Sequence, residues 1–238
     1  MAEWFADWFN EDYLALYPHR NEAEAAKAVA LIQGVVPWAP GWRVLDVGCG
    51  AGRHAPALVA AGGRPIGLDL SAALLNRARS ADIPLVRADM RRLPVRNASM
   101  DLAVNLFTSF GYFDHDAEHA AVLRGVAECL RPGGWFALDF LNADTVRAGL
   151  VPRETQQLGG HEAVITREID AGGRRVVKTI RLADGRVFAE RVRLFGADEL
   201  RAMLEGAGLM VRATYGDYDG AELNAGTPRA ILISQRAA

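Results

Sequence analysis

Two cysteines in 238 residues, Cys49 and Cys129, are too few for a disulfide framework, and neither stands in a spaced set of zinc ligands, so no metal is expected. Long apolar runs are missing as well. The best candidate for one, Ala28 to Trp38, is broken by Gln33, Gly34 and Pro37 and falls short of the roughly 20 residues that cross a bilayer, so no membrane partner is expected. There is no excess of positive charge either. With a formal charge of -2 and a pI near 6.2, the chain lacks the cationic field that draws in phosphate backbones, and nucleic acid is disfavoured as a partner. The first residues, Met-Ala-Glu-Trp-Phe-Ala-Asp-Trp-Phe, have neither the basic start nor the apolar stretch of a secretory signal, which points to a cytoplasmic protein.

What is present is ordinary globular composition, half hydrophobic and about a quarter charged, at a length that suits one large α/β domain carrying an insertion. The chain divides into an N-terminal helical cap (1–40), a cofactor-binding core (41–152), an antiparallel insertion (153–195) and the C-terminal part of the core (196–238). Trp4 with Trp8 and Phe5 with Phe9 recur at helical spacing, which predicts one amphipathic helix over 3–17, and a second helix follows from Asn21 to about Val36, capped by Asn21 and Glu24. From Arg43 short apolar runs at 43–47, 64–69, 83–88, 100–107 and 134–140 alternate with helical patterns at 53–61, 72–80 and 116–130. That alternation predicts a doubly wound, Rossmann-like, mostly parallel seven-stranded sheet with its last strand antiparallel. Segments at 161–170, 174–182 and 186–195 alternate in polarity around Gly172-Gly173 and Asp184-Gly185, and read as a β meander. A helix at 197–205 and strands at 209–216 and 229–235 complete the pattern.

The chemistry is carried by Val44-Leu-Asp46-Val-Gly48-Cys49-Gly50-Ala-Gly52. A strand that ends in such a glycine turn and enters a helix brings backbone close to a ligand, because no Cβ stands in the way. The third glycine arrives one residue too early for the dinucleotide fingerprint, and Arg53 stands where that fingerprint needs a small residue, so pyrophosphate fits poorly.

The Asp-x-Gly-x-Gly-x-Gly form resembles motif I of the class I S-adenosylmethionine-dependent methyltransferases of the small-molecule type, and the resemblance extends over nearly all of the chain after Arg43. It implies S-adenosylmethionine as cofactor, with Asp46, Gly48, Cys49, Gly50 and Gly52 forming the turn. It also places Asp69 on the ribose hydroxyls, Leu70 against the adenine, Asp89 and Met90 at the adenine edge, and the Leu106 carbonyl beside the methionine amino group. Segments before motif I commonly fold over the cofactor in this family, which makes Arg20 a candidate for its carboxylate. Methyl transfer to a nitrogen or oxygen of a small-molecule acceptor is the implied activity. An amine attacks directly whereas a hydroxyl needs a base, and Tyr17, Tyr112 and His115, with His19 and Asp114, are the local candidates. The Asn/Asp-Pro-Pro-Tyr signature for nucleic acid bases is absent, its place held by Asn105-Leu-Phe-Thr-Ser109.

Plainer readings stand beside these. The turn could be a ligand-free connection, Asp69 a helix-dipole partner and Asp89 a turn cap. The N-terminal aromatics suit core packing as well as a lid. Basic residues outnumber acidic ones in the insertion, consistent with a solvated face or with a homodimer formed through it. A nicotinamide-dependent reductase and a non-catalytic cofactor-binding protein are the competing functions.

Overall fold

Residues 43–47 form a strand because four of the five side chains are buried, Val44 on one face and Leu45 and Val47 on the other, and only a sheet covered on both sides accommodates that. A computed structural model describes residues 3–17 and 22–237. Its N-terminal cap has α1 (Trp4–Trp8), α2 (Glu11–Leu16) and α3 (Glu22–Val35). The expected single helix over 3–17 is thus two, because the Asn10 side chain caps the second by accepting from the backbone N–H of Asp12 at 2.8 Å and Tyr13 at 3.3 Å. Asn21, expected as the cap of α3, lies outside the described residues, as do Arg20 and His19.

The core continues through β1 (Arg43–Val47), α4 (Ala55–Ala60), β2 (Arg64–Asp69), α5 (Ala72–Ala78), β3 (Leu85–Arg87), β4 (Met100–Asn105), α6 (Asp116–Cys129) and β5 (Leu130–Leu141). After α7 (Ala143–Ala148) come four antiparallel strands, β6 (Arg153–Leu158), β7 (His161–Ile169), β8 (Arg175–Leu182) and β9 (Val187–Arg193). The chain closes with α8 (Ala197–Gly206), β10 (Leu209–Tyr215) and β11 (Arg229–Arg236). Two elements exceed the sequence reading. Helix α7 is started by the Asn142 side chain, which accepts from Asp144 N–H at 3.1 Å, and β6 reads Arg-Glu-Thr-Gln-Gln-Leu, with one apolar residue to betray it.

The large sheet has the order β10-β11-β5-β4-β1-β2-β3, parallel except that β11 runs antiparallel to both β5 and β10. Helices α6 and α8 cover one face, where Val122, Leu123, Leu200 and Leu204 meet Leu45, Leu68 and Leu138. On the other, Val29, Ile32 and Leu58 of α3 and α4 pack on Val44, Leu102 and Val104. The second sheet, β6-β7-β8-β9, lays its inner face on the cap, with Ile165, Ile180 and Leu182 against Trp8, Tyr13 and Leu16. Among the described residues no helix is long and apolar enough to cross a membrane, and no cluster of three or more acidic, histidine or cysteine side chains is placed to hold a metal.

Candidate active site

The chain runs from β1 to β2 on one side and crosses back from β3 to β4 on the other, so the connections that follow β1 and β4 run apart and open a crevice at the switch point. The glycine turn after β1 and the loop after β4 form its walls. At Gly48 an added Cβ would stand 2.8 Å from Ser109 Cβ, so the two walls touch only because that position lacks a side chain. Gly50, at φ +55, is different: a Cβ there would meet nothing nearer than Leu74 at 3.9 Å, and the space over its backbone is open.

Asp69, at the tip of β2, accepts the Gly50 N–H at 2.8 Å on one oxygen and the Ser71 N–H at 2.9 Å on the other. It therefore links the glycine turn to the start of α5. Burial raises its carboxyl above the usual range, and those amide bonds oppose the shift. Asp46 lies beneath the turn, only 1% exposed, and its Oδ2 has no hydrogen-bond partner among the described residues. Burial, then the charge of Asp69, push its carboxyl up to about 7, with Arg53 pulling the other way. Burial and the two carboxylates likewise push the Cys49 thiol up, so it stays protonated and is no nucleophile.

Three cavities meet here. The first, of 770 Å³, lies between the glycine turn and the cap and is lined by Gly48, Cys49, Gly50, Gly52, Leu106 and Asp69, with Tyr17 and Arg53 at its sides. Asp69 also lines the second, of 330 Å³, together with Leu70, Asp89 and Met90. The third, of 510 Å³, runs from Phe107 and Thr108 to the inner face of the inserted sheet. Phe9 and Tyr112 line all three, and Tyr13 and Phe107 line the first and the third. One continuous cleft is thus partitioned by aromatic rings.

The fold brings most of the expected residues into that cleft. Asp89 arrives with both oxygens already held by the Arg91 guanidinium, at 2.5 to 3.0 Å, and the Arg91 side chain lowers its pKa against the effect of burial. Tyr112 donates its hydroxyl to the Thr108 carbonyl at 2.5 Å, and the Tyr17 hydroxyl accepts from Lys178 at 2.7 Å. His115 does not join them. It caps α6, its N–H given to Glu118 at 3.1 Å, and it lines none of the three cavities.

Several polar groups around the cleft escaped the sequence reading. Arg53 sets its guanidinium 4.0 Å from the centre of the Phe107 ring and pairs with Glu24 at 3.4 Å, placing a cation in the first cavity where the described residues do not include Arg20. Asp139, fully buried in β5, accepts from Phe107 N–H at 2.8 Å, Tyr218 hydroxyl at 2.5 Å and Arg229 at 2.7 Å. A carboxylate inside Trp-Phe-Ala-Leu-Asp-Phe was the available signal, because an acid so placed needs partners. Burial and the Asp139 charge raise the Tyr218 phenol above its ordinary range.

A family profile described as a methyltransferase domain matches residues 44–134. The chain is 30% identical over 220 residues to the cypemycin N-terminal methyltransferase of Streptomyces sp, covering 85% of this chain and 89% of that one. It is also 30% identical to the dTDP-3-amino-3,4,6-trideoxy-alpha-D-glucopyranose N,N-dimethyltransferase of Streptomyces venezuelae, covering 87% and 90%. Among solved structures, S-adenosylmethionine-bound CalS10, an amino pentose methyltransferase from Micromonospora echinaspora, superposes with a TM-score of 0.67 at 24% identity over 95% of each chain, a likeness of fold.

Proposed function

Because the chain belongs to the class I S-adenosylmethionine-dependent methyltransferases, we propose that it transfers the methyl group to the nitrogen of a small amine seated in the 510 Å³ cavity. The meeting of the three cavities at Phe9 and Tyr112 carries this reading, since it gives a donor and an acceptor separate seats within reach of one another.

The residues present fit the cofactor. The open space over Gly50 admits a ligand against the backbone, and each Asp69 oxygen, having accepted one amide, keeps a lone pair for a ribose hydroxyl. Leu70 and Met90 supply apolar surface for the adenine. Asp89 has little acceptor capacity left for the exocyclic amine, so we assign adenine recognition chiefly to those two neighbours. Arg53 and Leu106 line the same cavity, and to them we assign the cofactor carboxylate and, through the Leu106 carbonyl, its amino group. When bound, S-adenosylmethionine supplies a sulfonium methyl open to in-line displacement.

The protein's task is then to orient the acceptor lone pair and exclude water. Phe9, Tyr13, Phe107 and Tyr112 provide the dry walls. The His115 imidazole is outside the cavities, and the Tyr112 proton is committed to a carbonyl. An amine that arrives neutral needs no base, and the carboxylates of the cavity, Glu154 and Glu190, are engaged by Arg167 and Lys178, which favours nitrogen over oxygen. The two relatives named for nitrogen acceptors point the same way. We read the chain as one methyltransferase domain, with the outer face of the inserted sheet left for any self-association.

Incubation with S-adenosylmethionine and matched amines and N-acetylated amines, among them amino sugars and short peptides, followed by mass spectrometry, tests the proposal. Methylated amine is expected; methyl groups found on hydroxyl oxygens or on DNA would overturn it.

A further inference from the structure

On the reading that the 510 Å³ cavity seats the acceptor, we infer that the acceptor also carries an anionic group, a carboxylate or a phosphate, which docks between Arg167 and Lys178 of the inserted sheet.

The inner face of that sheet is apolar along most of its length, with Leu158, Ile165, Ile180 and Leu182 buried against the cap. One row interrupts it. Glu154 of β6, Arg167 of β7, Lys178 of β8 and Glu190 of β9 contribute one charge from each strand, and all four line the cavity. Their order across the sheet is minus, plus, plus, minus. Register puts Lys178 directly opposite Arg167 on one side and Glu190 on the other, while Glu154 reaches Arg167 at 2.6 Å along the diagonal.

Like charges directly opposite one another on neighbouring strands are destabilising, and more so away from water. Here the Arg167 and Lys178 side chains are only 24% and 20% exposed. The flanking carboxylates offset the repulsion without separating the cations. Among the described residues, Arg167 makes a single side-chain hydrogen bond, to Glu154, out of five guanidinium N–H donors. Lys178 gives one proton to Tyr17 at 2.7 Å and lies 3.4 Å from Glu190. Two adjacent cations with donors to spare, facing the same cavity, make a seat for an anion that satisfies both at once.

The outer carboxylates have a second effect. Glu190 accepts from the Trp8 indole at 3.0 Å, so the row is tied to the cap that forms one wall of the cavity. An anion bound at its centre would be held by residues that also hold the cap.

The test is a titration of the full chain with inorganic pyrophosphate and with citrate, followed by tryptophan fluorescence, because Trp4 lines the cavity and Trp8 contacts the row. Saturable binding is expected. The double variant R167Q/K178Q should lose about tenfold or more in affinity, whereas E154Q, which releases Arg167, should tighten it. A general loss of structure would not tighten binding, so E154Q alone decides the matter should the double variant fail to fold. Absence of binding to the wild-type chain, equal affinity in R167Q/K178Q, or weaker binding in E154Q would overturn the inference. A preference for pyrophosphate marks a phosphorylated acceptor and one for citrate a carboxylated acceptor; either supports it. The same samples are titrated with S-adenosylhomocysteine. If that binds normally while the anions fail, only the anion seat falls, and if it does not bind, the cofactor reading falls by itself.

Discussion

The carboxylate of Asp139 accepts the backbone N–H of Phe107 at 2.8 Å, and the carbonyl of the same Asp139 accepts the next amide, from Thr108, at 3.0 Å. Phe107 and Thr108 both occupy the left-handed region, at φ 58 and φ 62, which costs side-chain-bearing residues about 1 kcal/mol or more each. One buried aspartate thus holds two strained residues at the wall between the first and third cavities. Arg229 reinforces the arrangement by reaching both Asp139 at 2.7 Å and Thr108 Oγ1 at 3.1 Å.

Asp139→Ala is expected to destabilise the protein by about 3 to 5 kcal/mol, since it leaves the Arg229 charge buried and unpaired. Asp139→Asn is the finer probe. It keeps an acceptor for Phe107 N–H but loses the ion pair, so kcat should fall more than cofactor affinity in steady-state kinetics. Unchanged kcat in Asp139→Asn would show that the strained loop does not position reactants.

Asp69 has two duties, and the substitution chosen must separate them. Asp69→Ala removes both the ribose acceptor and the bonds to Gly50 and Ser71, so a loss of cofactor binding would be ambiguous. Asp69→Asn retains part of the tether and should weaken S-adenosylmethionine binding by about 1.5 to 3 kcal/mol, measured by calorimetry. Normal binding with a lowered melting temperature would mark Asp69 as a structural tie only.

Stability should depend on pH through two buried groups that oppose each other. The Asp46 carboxyl, raised to about 7 by burial, keeps a proton in the folded state that the unfolded chain has lost above about 4, so its contribution falls as pH rises toward 7. His119 is the reverse: burial lowers it to about 4 from 6.5, so the fold keeps it neutral and its contribution is lost as pH falls through that window. Urea unfolding of Asp46→Asn across this range should show the rising limb of His119 without the falling limb of Asp46. Parallel profiles for the variant and the wild-type chain would contradict the assignment.

The cap is expected to act as a lid. A Cβ at Gly159, in the β6–β7 turn, would collide with the Ala15 carbonyl of α2, and Trp4 bonds through its indole to the Tyr112 carbonyl at 3.2 Å. Gly159→Ala should therefore lift α2 from the inserted sheet and lower turnover, while the melting of the large sheet changes little. Tyr17→Phe, which removes the oxygen that accepts from Lys178, should lower turnover more mildly. Undiminished turnover in both variants would count against a lid.

The local features of this site were legible in the amino-acid sequence because each depends on neighbours along the chain. A turn of three glycines at positive φ follows from residues 46–52 alone, and Asp69 stands at a strand tip that its own apolar run announces. Period-two polarity revealed three of the four inserted strands, but not the polar β6. Everything that depends on which strand lies opposite which was decided by the tertiary structure. The clamp of Arg91 on Asp89 joins the expected adenine acceptor to an ion-pair cluster with Glu3 and Glu118, residues remote in sequence. The pairing of Asp139 with Phe107 ties β5 to the loop after β4, and the row from Glu154 to Glu190 exists only at one register of the four strands. A slip of one residue in any of those strands would turn its charge to the opposite face, because side chains alternate along a strand, and no property of the separate segments records that register.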